Sequence, residues 1–594
     1  MQPYLIGRIA YLACLVCGLA SLAETAAAAG SGDPGVRPGR LFVERPTPQA
    51  LAFRWPIDGD NNGNAKVSLR YRSQGAEAWR SGLDLSRVGL ESRAPKRRPR
   101  GSVLLAGSLV GLAPGRHYEV ELALTDPDGG GETRSLTLRT ASEPRLPSGL
   151  RRRYIEPDPG GTGGGGQGSQ SEPFRGLSAA AAAAQPGDLL LLAPGTYRAV
   201  AIAPARSGKP GAPIVFEAAN EGPVTLDGGG NDVLLELSDR RQIWVRGLSL
   251  KNADTLIRAD RAREIVVQGN RFEVDRAGYV SSGAVADESY GQFILDNHFI
   301  GPTEWPRSKG IEHIFGVALS GSGHVIAYNR MESLGDCIRG AWADGGDGLL
   351  SASDIHHNDL QSCTDDGIEI DHADANVRVF ANRITNSFAA ISFQPVFGGP
   401  VYVYRNRIYN TLYSPFKLHN DTSGVLMMHN TSVRSGIPFF IRTSTESVRD
   451  SLTRNNLFVG TEGPALNSTA TMIGNDFDSD GYAWSLGDFA HWNGKAYGTI
   501  AAARRDGKIY RHHGATRLQA RELFAGGLLP IPDESNEYDG SANRPALEIG
   551  SPAVDRAVRV PGFNDAFVGE APDLGCCELG EALSSVGPRD PYGG

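Results

Sequence analysis

A regularly repeated asparagine is the sequence feature that most restricts how this chain can fold. Four copies follow one another at intervals of 24 residues, in the segments IHHNDL, VFANRI, VYRNRI and MMHNTS: Asn358, Asn382, Asn406 and Asn430. Apolar residues precede Asn382, Asn406 and Asn430 by three and five positions, as Val379 and Val377 precede Asn382. Alternation within each copy predicts short strands, and the constant longer period predicts one set of strands per turn of a solenoid.

The same asparagine marks further copies with looser spacing on both sides of the regular ones: Asn270, Asn297, Asn329 and Asn456. Asparagine tolerates the left-handed backbone conformation, and its amide can hydrogen-bond to the equivalent amide of the next turn. We therefore predict that each asparagine occupies a tight left-handed bend and that the asparagines form a ladder. After Asn456 the rhythm breaks, and residues 475–545 are predicted to form a loop-rich insertion.

The segments that flank the repeat resemble the ends of a known fold. A glycine-rich stretch is followed by an alanine-rich segment, Phe174–Ala184, which Pro186 and Gly187 end, and then by the apolar run DLLLLAPGTY. This order resembles the N-terminal cap of right-handed parallel β-helix proteins of the pectin-lyase-like superfamily, and GSPAVDRA and EAPDLGCCELG resemble their closing segment. The resemblance implies an all-β chain with a right-handed parallel β-helix over residues 151–580 and a cap helix at about residues 173–185.

Residues 38–145 have the alternating pattern of a small β-sandwich. The segments LAFRWPIDGD, KVSLRYRSQG, HYEVELALTD and RSLTLRT alternate apolar with polar residues, and Asp58-Gly59 and Asp128-Gly129 favour turns between them. These segments resemble a fibronectin type III domain. The resemblance implies that Trp55 is the core tryptophan of an early strand and that Tyr118 precedes the penultimate strand.

The first 29 residues have the features of a secretory signal peptide. Arg8 precedes an apolar stretch, Ile9–Leu22, and small residues that suit a signal peptidase follow it. We therefore expect a secreted or periplasmic protein. In an oxidising compartment Cys337 and Cys363 could form a disulfide, and two buried thiols are an equally good interpretation.

Charge and hydropathy argue against binding to nucleic acid and against a membrane span. The 594 residues include 59 Lys and Arg against 67 Asp and Glu, a net charge of −8, which does not suit nucleic-acid binding. No apolar run after the signal peptide reaches the roughly 18 residues that span a bilayer. The basic run Arg93–Arg100 is interpreted as a solvated loop rather than a contact to an acidic polymer. We expect a monomer.

Side-chain alternation separates inward from outward residues in the second strand of each turn. The inward residues are predicted to be Ile338, Ile368, Ile370, Ile391, Phe393, Phe416, Leu418, Phe439 and Ile441. The outward residues are predicted to be Arg339, Glu369, Asp371, Ser392, Gln394, Lys417, His419, Phe440 and Arg442. Because successive turns stack about 4.8 Å apart, the outward residues should form one polar strip that faces a carbohydrate.

The segment CTDDGIEIDHAD is the densest acidic part of this strip. Asp365-Asp366-Gly367 is predicted to be a turn that enters the strand, with Glu369 and Asp371 on its outer face. Crowded carboxylates repel one another unless a cation, a nearby Lys or Arg, or a shared proton relieves them. Three interpretations stay open: Ca²⁺ bound by Asp365, Asp366, Glu369 and Asp371, or no cofactor and two acids that hydrolyse a glycoside, or an acidic turn that only solvates the edge.

The segment FKLHN supplies two candidate bases, Lys417 and His419. We expect them two turns from the acidic segment, about 10 Å away, with Arg339 one turn before the acids and Arg442 one turn beyond Lys417. Elimination from a uronic acid needs a base for the C5 proton and a cation for the resulting enolate. Lys417 or His419 would be the base, and Arg339 or Arg442 would neutralise the charge.

Two loops beside the strip carry tryptophans that could stack on sugar rings. Trp305 lies in PTEWPRSKGIEHI and Trp342 lies in WADGGDG. Gln394 and Asn420 are further candidates for substrate binding. The reserve candidates are Glu304, Lys309 and His313.

The superfamily resemblance implies a carbohydrate-active enzyme, because many secreted members are polysaccharide lyases, glycoside hydrolases or uronan epimerases. TDDGIEID is similar to the acidic signature of polygalacturonase-type hydrolases at Asp365, Asp366 and Glu369. The Gly-His pair and the Arg-Ile-Lys triplet of that signature do not occur in matching context. Neither does the Asn-Lys-Ser motif of alginate-lyase and chondroitinase-B-type enzymes, nor the Asp-Pro-His-Asp motif of the epimerases.

We therefore predict a lyase that cleaves an acidic polysaccharide by β-elimination, with Asp366, Glu369 and Asp371 holding Ca²⁺ if a metal is bound. The first alternative is an inverting-type glycoside hydrolase in which Asp365, Asp366 or Glu369 form the acid–base pair. The second alternative is a non-catalytic adhesin or matrix solenoid whose groove only binds glycan.

Overall fold

A computed structural model of the chain describes residues 35–88, 103–158, 164–198, 201–219, 221–282, 288–307, 313–340, 349–442 and 446–590. Several predicted features lie outside these residues: the signal peptide, the basic run Arg93–Arg100, Lys309 and Trp342. Within the described part of the chain, no helix is both long enough and apolar enough to cross a membrane.

Two parallel sheets of sixteen strands each form the body of the molecule, which is a right-handed parallel β-helix as predicted. The first sheet contains the strands that precede the repeated asparagines: Arg151–Glu156, Phe174–Arg175, Asp188–Leu192, Ile214–Ala218, Ile243–Arg246, Val266–Gln268, Phe293–Leu295, Val325–Ala327, Asp354–His356, Val377–Phe380, Phe397–Tyr404, Ser423–Met428, Ser447–Arg449, Leu452–Arg454, Thr471–Ile473 and Asp476–Phe477.

The second sheet contains the strands that follow the asparagines, and its longest strands bend to form two sides of a coil. Its members are Gly195–Arg198, Val224–Glu236, Ser249–Arg258, Arg271–Glu273, Ala277–Ser281, His298–Ile300, Phe315–Leu319, Arg330–Leu334, Asp336–Gly340, Asp359–Glu369, Arg383–Phe393, Arg407–Leu418, Thr431–Val433, Leu457–Val459, Gly481–Ala483 and Thr516–Leu518.

Shorter elements complete the solenoid. The remaining strands form two small sheets: Gly321–Ser322 with Leu350–Ser351, and Phe439–Ile441 with Leu466–Ser468, Ala490–Trp492 and Lys495–Tyr497. The α-helices are Leu177–Ala183, close to the predicted cap helix, and Ile500–Asp506, and the 3₁₀ turns are Ala520–Glu522 and Gly540–Ala542. Leu177, Ala180 and Ala181 of the first helix belong to the solenoid core, so this helix covers the apolar interior near its first coil.

The repeated asparagines form the predicted hydrogen-bond ladder inside the solenoid. Asn406 is fully buried, and its side-chain amide donates to Asn430 Oδ1 at 2.9 Å and to the carbonyl of Val379 at 3.0 Å. The pattern repeats from Asn270 to Asn456, where Asp480 accepts the last bonds. The predicted left-handed conformation at the asparagine is wrong, because the residue before it adopts that conformation and frees the side chain to point inward, as His357 (φ 54°) and Arg405 (φ 56°) do.

The N-terminal part of the chain forms two antiparallel sheets that share one core. One sheet contains Arg37–Pro38, Phe42–Val43, Leu51–Asp58, Ser86–Val88 and Val103–Leu109, and the other contains Lys66–Ser73, Arg80–Ser81, His117–Thr125 and Gly131–Arg139. Trp55 and Tyr118 both lie in this core. We call the described residues of this part, 35–88 and 103–139, the N-terminal sandwich.

Residues 475–545 differ from the predicted loop-rich insertion in their first half. Strand Gly481–Ala483 pairs in parallel with Leu457–Val459 and with Thr516–Leu518, so the coils continue to Leu518. The later residues run back over the outside of the second sheet, where Asn410 donates to the carbonyl of Asn536 at 3.0 Å. The rhythm of the sequence breaks because an aspartate, Asp480, replaces the asparagine in this coil.

The final described segment returns to much earlier coils. Arg407 donates to the carbonyl of Ser584 at 2.8 Å, and Arg589 forms an ion pair of 2.9 Å with Asp296. Inside the solenoid, Cys337 and Cys363 are bonded as a disulfide between neighbouring coils, which selects one of the two interpretations left open by the sequence.

Candidate functional site

The predicted polar strip runs along neighbouring coils of the second sheet. Arg339 pairs in register with Glu369, Glu369 with Ser392, and Ser392 with Lys417. The preceding residues of the same strands are apolar and completely buried: Ile338, Ile368, Ile391 and Phe416. Alternation along the strands therefore brings residues up to 78 positions apart into one column, from Arg339 to Lys417.

Basic side chains hold the acidic residues of this strip. Lys417 Nζ lies 2.9 Å from Asp366 Oδ2, and Arg339 lies 3.6 Å from Glu369 and 3.4 Å from Asp336. The result is a compact group of opposite charges on three of four successive coils.

The predicted separation of about 10 Å between Lys417 and the acids is wrong for the charged atoms. The backbones are two coils apart, since Asp366 pairs with Ala389 and Ala389 with Ser414, but the long side chain of Lys417 reaches back across the intervening coil. The residues of that coil in register with them, Ala389 and Ser392, have small side chains.

Asp365 and Asp366 lie inside strand Asp359–Glu369. The prediction that they form a turn before the strand is therefore wrong. The pairing register with the next coil shifts between Cys363 and Asp366, so the strand bulges where the two carboxylates occur. A Cβ on Gly367 would lie 2.7 Å from the carbonyl oxygen of Ala390, so this position requires glycine. The bulge explains how two consecutive aspartates both lie next to cations.

Burial controls the protonation of these acids. Burial raises the pKa of Asp366 to about 7, against the opposing effect of the Lys417 ammonium. Burial and the nearby Glu369 carboxylate raise the pKa of Asp336 and of Asp371 well above the ordinary range. Burial tends to lower the pKa of Lys417, but the Asp366 carboxylate outweighs it and the pKa rises, so this ammonium stays protonated at neutral pH.

Asp371 and Ser392 are buried, although the alternation pattern places both on the outer face. The Ser392 hydroxyl donates to Asp371 Oδ1 at 2.9 Å, and the backbone N–H of Gln394 donates to the same oxygen at 2.7 Å. Asp371 comes after the strand has ended, where alternation no longer determines the direction of a side chain. It therefore fixes the corner between coils and is not presented to solvent.

A histidine and a tyrosine lie at the end of the same column. Tyr413 Oη lies 2.9 Å from His419 Nε2 and donates to the carbonyl of Arg442 at 3.1 Å. Burial lowers the pKa of His419, and the Lys417 ammonium lowers it further, so the imidazole is neutral at neutral pH. Burial raises the pKa of Tyr413 to about 12. Arg442 is exposed at the edge of the strip.

Aromatic rings form a wall beside the charged group. The rings of Phe388 and Tyr413 are stacked with centroids 5.4 Å apart, and Phe440 lies 6.1 Å from Tyr413. The guanidinium of Arg307 lies 4.3 Å from the centroid of Phe388 and 2.9 Å from Asp365. The sequence did not predict Arg307 or the aromatic wall, although Arg307 belongs to the same long loop as Trp305.

The remaining predicted residues lie around this centre. Trp305 donates its indole N–H to the carbonyl of Asn536, so the returning C-terminal segment holds its ring. The backbone N–H of Asn420 donates to Glu446 at 2.8 Å. Gln394 is partly buried, and the two reserve residues that the structure describes, Glu304 and His313, are exposed.

The carboxylates do not match a calcium site. Among the described residues, no three His, Cys, Asp or Glu side chains come together as metal ligands. Asp366 lies against Lys417, Glu369 against Arg339, and Asp371 accepts hydrogen bonds from the next coil. Since a calcium ion needs several carboxylate oxygens at once, these residues suit the cationic side chains already present better than they suit the metal.

The parallel β-helix therefore has a strip of opposite charges beside an aromatic wall. Comparisons with known proteins bear on the function of this site. Residues 173–259 match the family described as Chondroitinase B. Pectate lyase L of Dickeya dadantii (strain 3937) is 24% identical over 433 residues, which are 68% of this chain and 85% of that protein. Pectate lyase L of Dickeya chrysanthemi is 26% identical over 345 residues, 53% of this chain and 71% of that protein.

Among solved structures, the complex of XylC with xylose has a TM-score of 0.46 and 11% sequence identity, covering 74% of this chain and 99% of that one. The family match and the two relatives confirm the prediction of an enzyme that is a polysaccharide lyase. The alternative of a non-catalytic solenoid is therefore not retained.

Proposed function

We propose that the chain cleaves an acidic polysaccharide by β-elimination on the polar strip. His419 and Tyr413 would move the proton. The basic side chains around them would hold the negative charge: Lys417, Arg339 and Arg307. The observation that carries the proposal is the position of the His419 imidazole. It is neutral, it lies 2.9 Å from Tyr413 Oη, and it follows Lys417, which is ion-paired with Asp366, by two residues.

Protonation separates the two candidate bases. Lys417 is ion-paired with Asp366 at 2.9 Å, and its raised pKa leaves no lone pair to accept a proton at neutral pH. His419 has a lowered pKa and is already neutral. A general base works best when it is unprotonated at the working pH, so His419 is the better candidate and Lys417 is the better electrostatic stabiliser.

The reaction then balances without an added reagent. The C5 proton of the uronate passes to the Tyr413–His419 pair, and the C5–H electrons form the C4–C5 double bond. The C4–O bond breaks, and the leaving oxygen takes the proton back from the same pair. Arg339, Arg307 and Lys417 lower the energy of the intermediate because the uronate carboxylate gains negative charge when the C5 proton leaves.

The aromatic wall supports binding of a sugar next to these charges. Sugar rings pack their apolar faces against aromatic rings, and the partly exposed Phe388–Tyr413 stack lies beside Arg307. An acidic sugar gains from both the rings and the guanidinium. We therefore propose a uronic-acid polymer as the substrate.

Purified protein and a panel of uronic-acid polymers test the proposal. The panel contains polygalacturonate, alginate, a glucuronan and chondroitin sulfate, and both the ultraviolet absorbance of the new double bond and the reducing ends are measured. We expect both signals to rise together with at least one polymer. Reducing ends without absorbance would instead establish hydrolysis, with Asp365, Asp366 or Glu369 as the acids.

Substitution of the base sharpens this test. His419→Ala should lower kcat about a hundredfold or more, because it removes general base catalysis. His491→Ala is the matched control, since the Nε2 atom of His491 also has a hydrogen-bond partner, Asp488 at 3.0 Å, but its side chain is 42% exposed and lies outside the strip. Equal losses in both variants, or none in His419→Ala, would exclude His419 as the base.

We also propose that the protein is exported, is a monomer and carries a fibronectin type III-like module. The disulfide between Cys337 and Cys363 supports an oxidising compartment, and the shared core of the two N-terminal sheets supports the module. The N-terminal sequence of the mature protein and its mass in solution test the first two proposals.

A further inference from the structure

The N-terminal sandwich is joined to the solenoid by a buried polar network. The backbone N–H of Ser108, in the sandwich, donates to Tyr402 Oη of the solenoid at 2.9 Å, and the Ser108 hydroxyl donates to Asn376 Oδ1 at 3.0 Å. Asn376 also donates to the carbonyl of Phe53 at 3.2 Å. Ser108, Tyr402 and Asn376 are each at most 2% exposed. Buried polar groups need these partners, so separation of the two domains would leave them unsatisfied.

One arginine of the sandwich reaches beyond this network towards the candidate active site. Arg54 forms an ion pair of 2.5 Å with Asp374 of the solenoid and a second ion pair with Glu44 of its own sheet. Its side chain is 22% exposed, so solvent screens the pair only in part. Burial would lower the pKa of Arg54, but the two carboxylates raise it.

Asp374 belongs to the turn that follows the acidic strand. In this turn the backbone N–H of His372 donates to the carbonyl of Pro395 and that of Asp374 donates to the carbonyl of Leu350 at 3.0 Å. His372 has a left-handed conformation, with φ 61°. The turn begins at Asp371, whose carboxylate accepts from Ser392 beside Glu369 and Lys417 in the strip. The contact of Arg54 therefore acts on the segment that carries the acids.

We propose that Arg54 is a positioning residue for the candidate active site, and that the sandwich is a working part of the catalytic unit rather than a spacer. The ion pair with Asp374 holds the turn 371–374 in place, and the turn holds the preceding residue Glu369 beside Arg339. The inference rests on the proposed function, because Glu369 lies against Arg339, one of the basic side chains that this function uses to hold negative charge.

Substitutions at both ends of the ion pair test the inference in the full chain. Arg54→Met should lower kcat about tenfold to a hundredfold, since small displacements of catalytic groups have effects of this size, while KM changes less. Arg54→Lys keeps the charge and should restore most of the activity. Asp374→Asn should reproduce the loss of kcat while it leaves the Arg54–Glu44 pair in place. This variant tests the same ion pair if Arg54→Met does not fold.

A matched control separates positioning from general stability. Arg72 pairs with Glu119 at 2.6 Å, both residues lie within the sandwich, and the side chain of Arg72 is 28% exposed. Arg72→Met should therefore keep the parental kcat and the parental pH profile. Parental kcat in both Arg54→Met and Asp374→Asn, or an equal loss in Arg72→Met, would overturn the inference.

Hydrogen exchange distinguishes failure of this inference from failure of the proposed function. Arg54→Met should speed amide exchange in residues 371–376 and leave the amides of Asn406 and Asn430 protected. This measurement needs no substrate. If the parent protein shows no lyase activity, the proposed function fails. Unchanged amide exchange in residues 371–376 of Arg54→Met would independently refute the inference that Arg54 holds the turn in place.

Discussion

Removal of the Lys417 ammonium should destabilise the protein in a way that depends on pH. At 2.9 Å the Coulomb attraction between Lys417 and Asp366 is about 6 kcal/mol at an effective dielectric constant of about 20, before the cost of taking both charges out of water. Loss of one partner from a buried pair costs about 3–5 kcal/mol, because the other charge stays buried. Lys417→Met should therefore lower the free energy of unfolding by about 3 kcal/mol at alkaline pH.

The pH dependence follows from the pKa of Asp366, which is about 7 in the folded protein and 3.8 in its ordinary state. A carboxyl with a raised folded pKa binds its proton more tightly when folded, so stability falls as pH rises between these values and is then constant. Without Lys417 the folded pKa of Asp366 rises further, and the fall continues above pH 7. The difference between variant and parent should grow there by about 1.4 kcal/mol per pH unit.

Urea unfolding followed by fluorescence at several pH values measures this difference. Lys495→Met is the control, since Lys495 also pairs with an aspartate, Asp506, but on the exposed surface, and its stability should match the parent at every pH. Asp366→Asn combined with Lys417→Met should recover part of the loss, because it removes the orphaned charge. A pH-independent difference, or no recovery in the double variant, would refute the reasoning.

Two further predictions concern the ladder and the metal. Asn406→Ala removes four buried hydrogen bonds, two donated to Val379 and Asn430 and two accepted from Asn382, and should cost about 4 kcal/mol in urea unfolding. The control Asn64→Ala removes an exposed bond to Asp128 and should cost less than about 1 kcal/mol; equal losses would contradict the ladder. Exhaustive treatment with a chelator should leave lyase activity unchanged, since Arg339 and Lys417 already lie against the acids; loss of activity that Ca²⁺ restores would establish the calcium site.

Regular repetition made much of the fold predictable from the sequence. Equal intervals between asparagines identify the coils, and alternation within one strand places Arg339, Glu369, Ser392 and Lys417 in one column, as the register shows. These inferences need only the period of the sequence and the geometry of a strand. They fail where the strand bulges or ends, as at Asp366 and beyond Glu369.

Contacts that cross between distant segments were not predictable in the same way. The spacing of residues contains no information on how far the side chain of Lys417 extends, or on the bend that brings Arg307 against Phe388. The ion pair of Arg54 with Asp374 joins two domains whose relative placement depends on surface complementarity. The sequence also did not predict that the residue before each asparagine, and not the asparagine itself, has the left-handed conformation, because packing of the ladder determines which of the two bends.

The returning C-terminal segment changes how the solenoid comes apart. A repeat protein whose coils touch only their neighbours can fray from its last coil inwards, one unit at a time. Here Asn455 donates to the carbonyl of Val558, Arg407 to that of Ser584, and Arg589 pairs with Asp296, so one stretch of chain straps together coils that are far apart along the axis. Stepwise fraying would have to break these contacts first. Loss of the coils therefore becomes a cooperative event, and the strip stays intact until the whole solenoid unfolds.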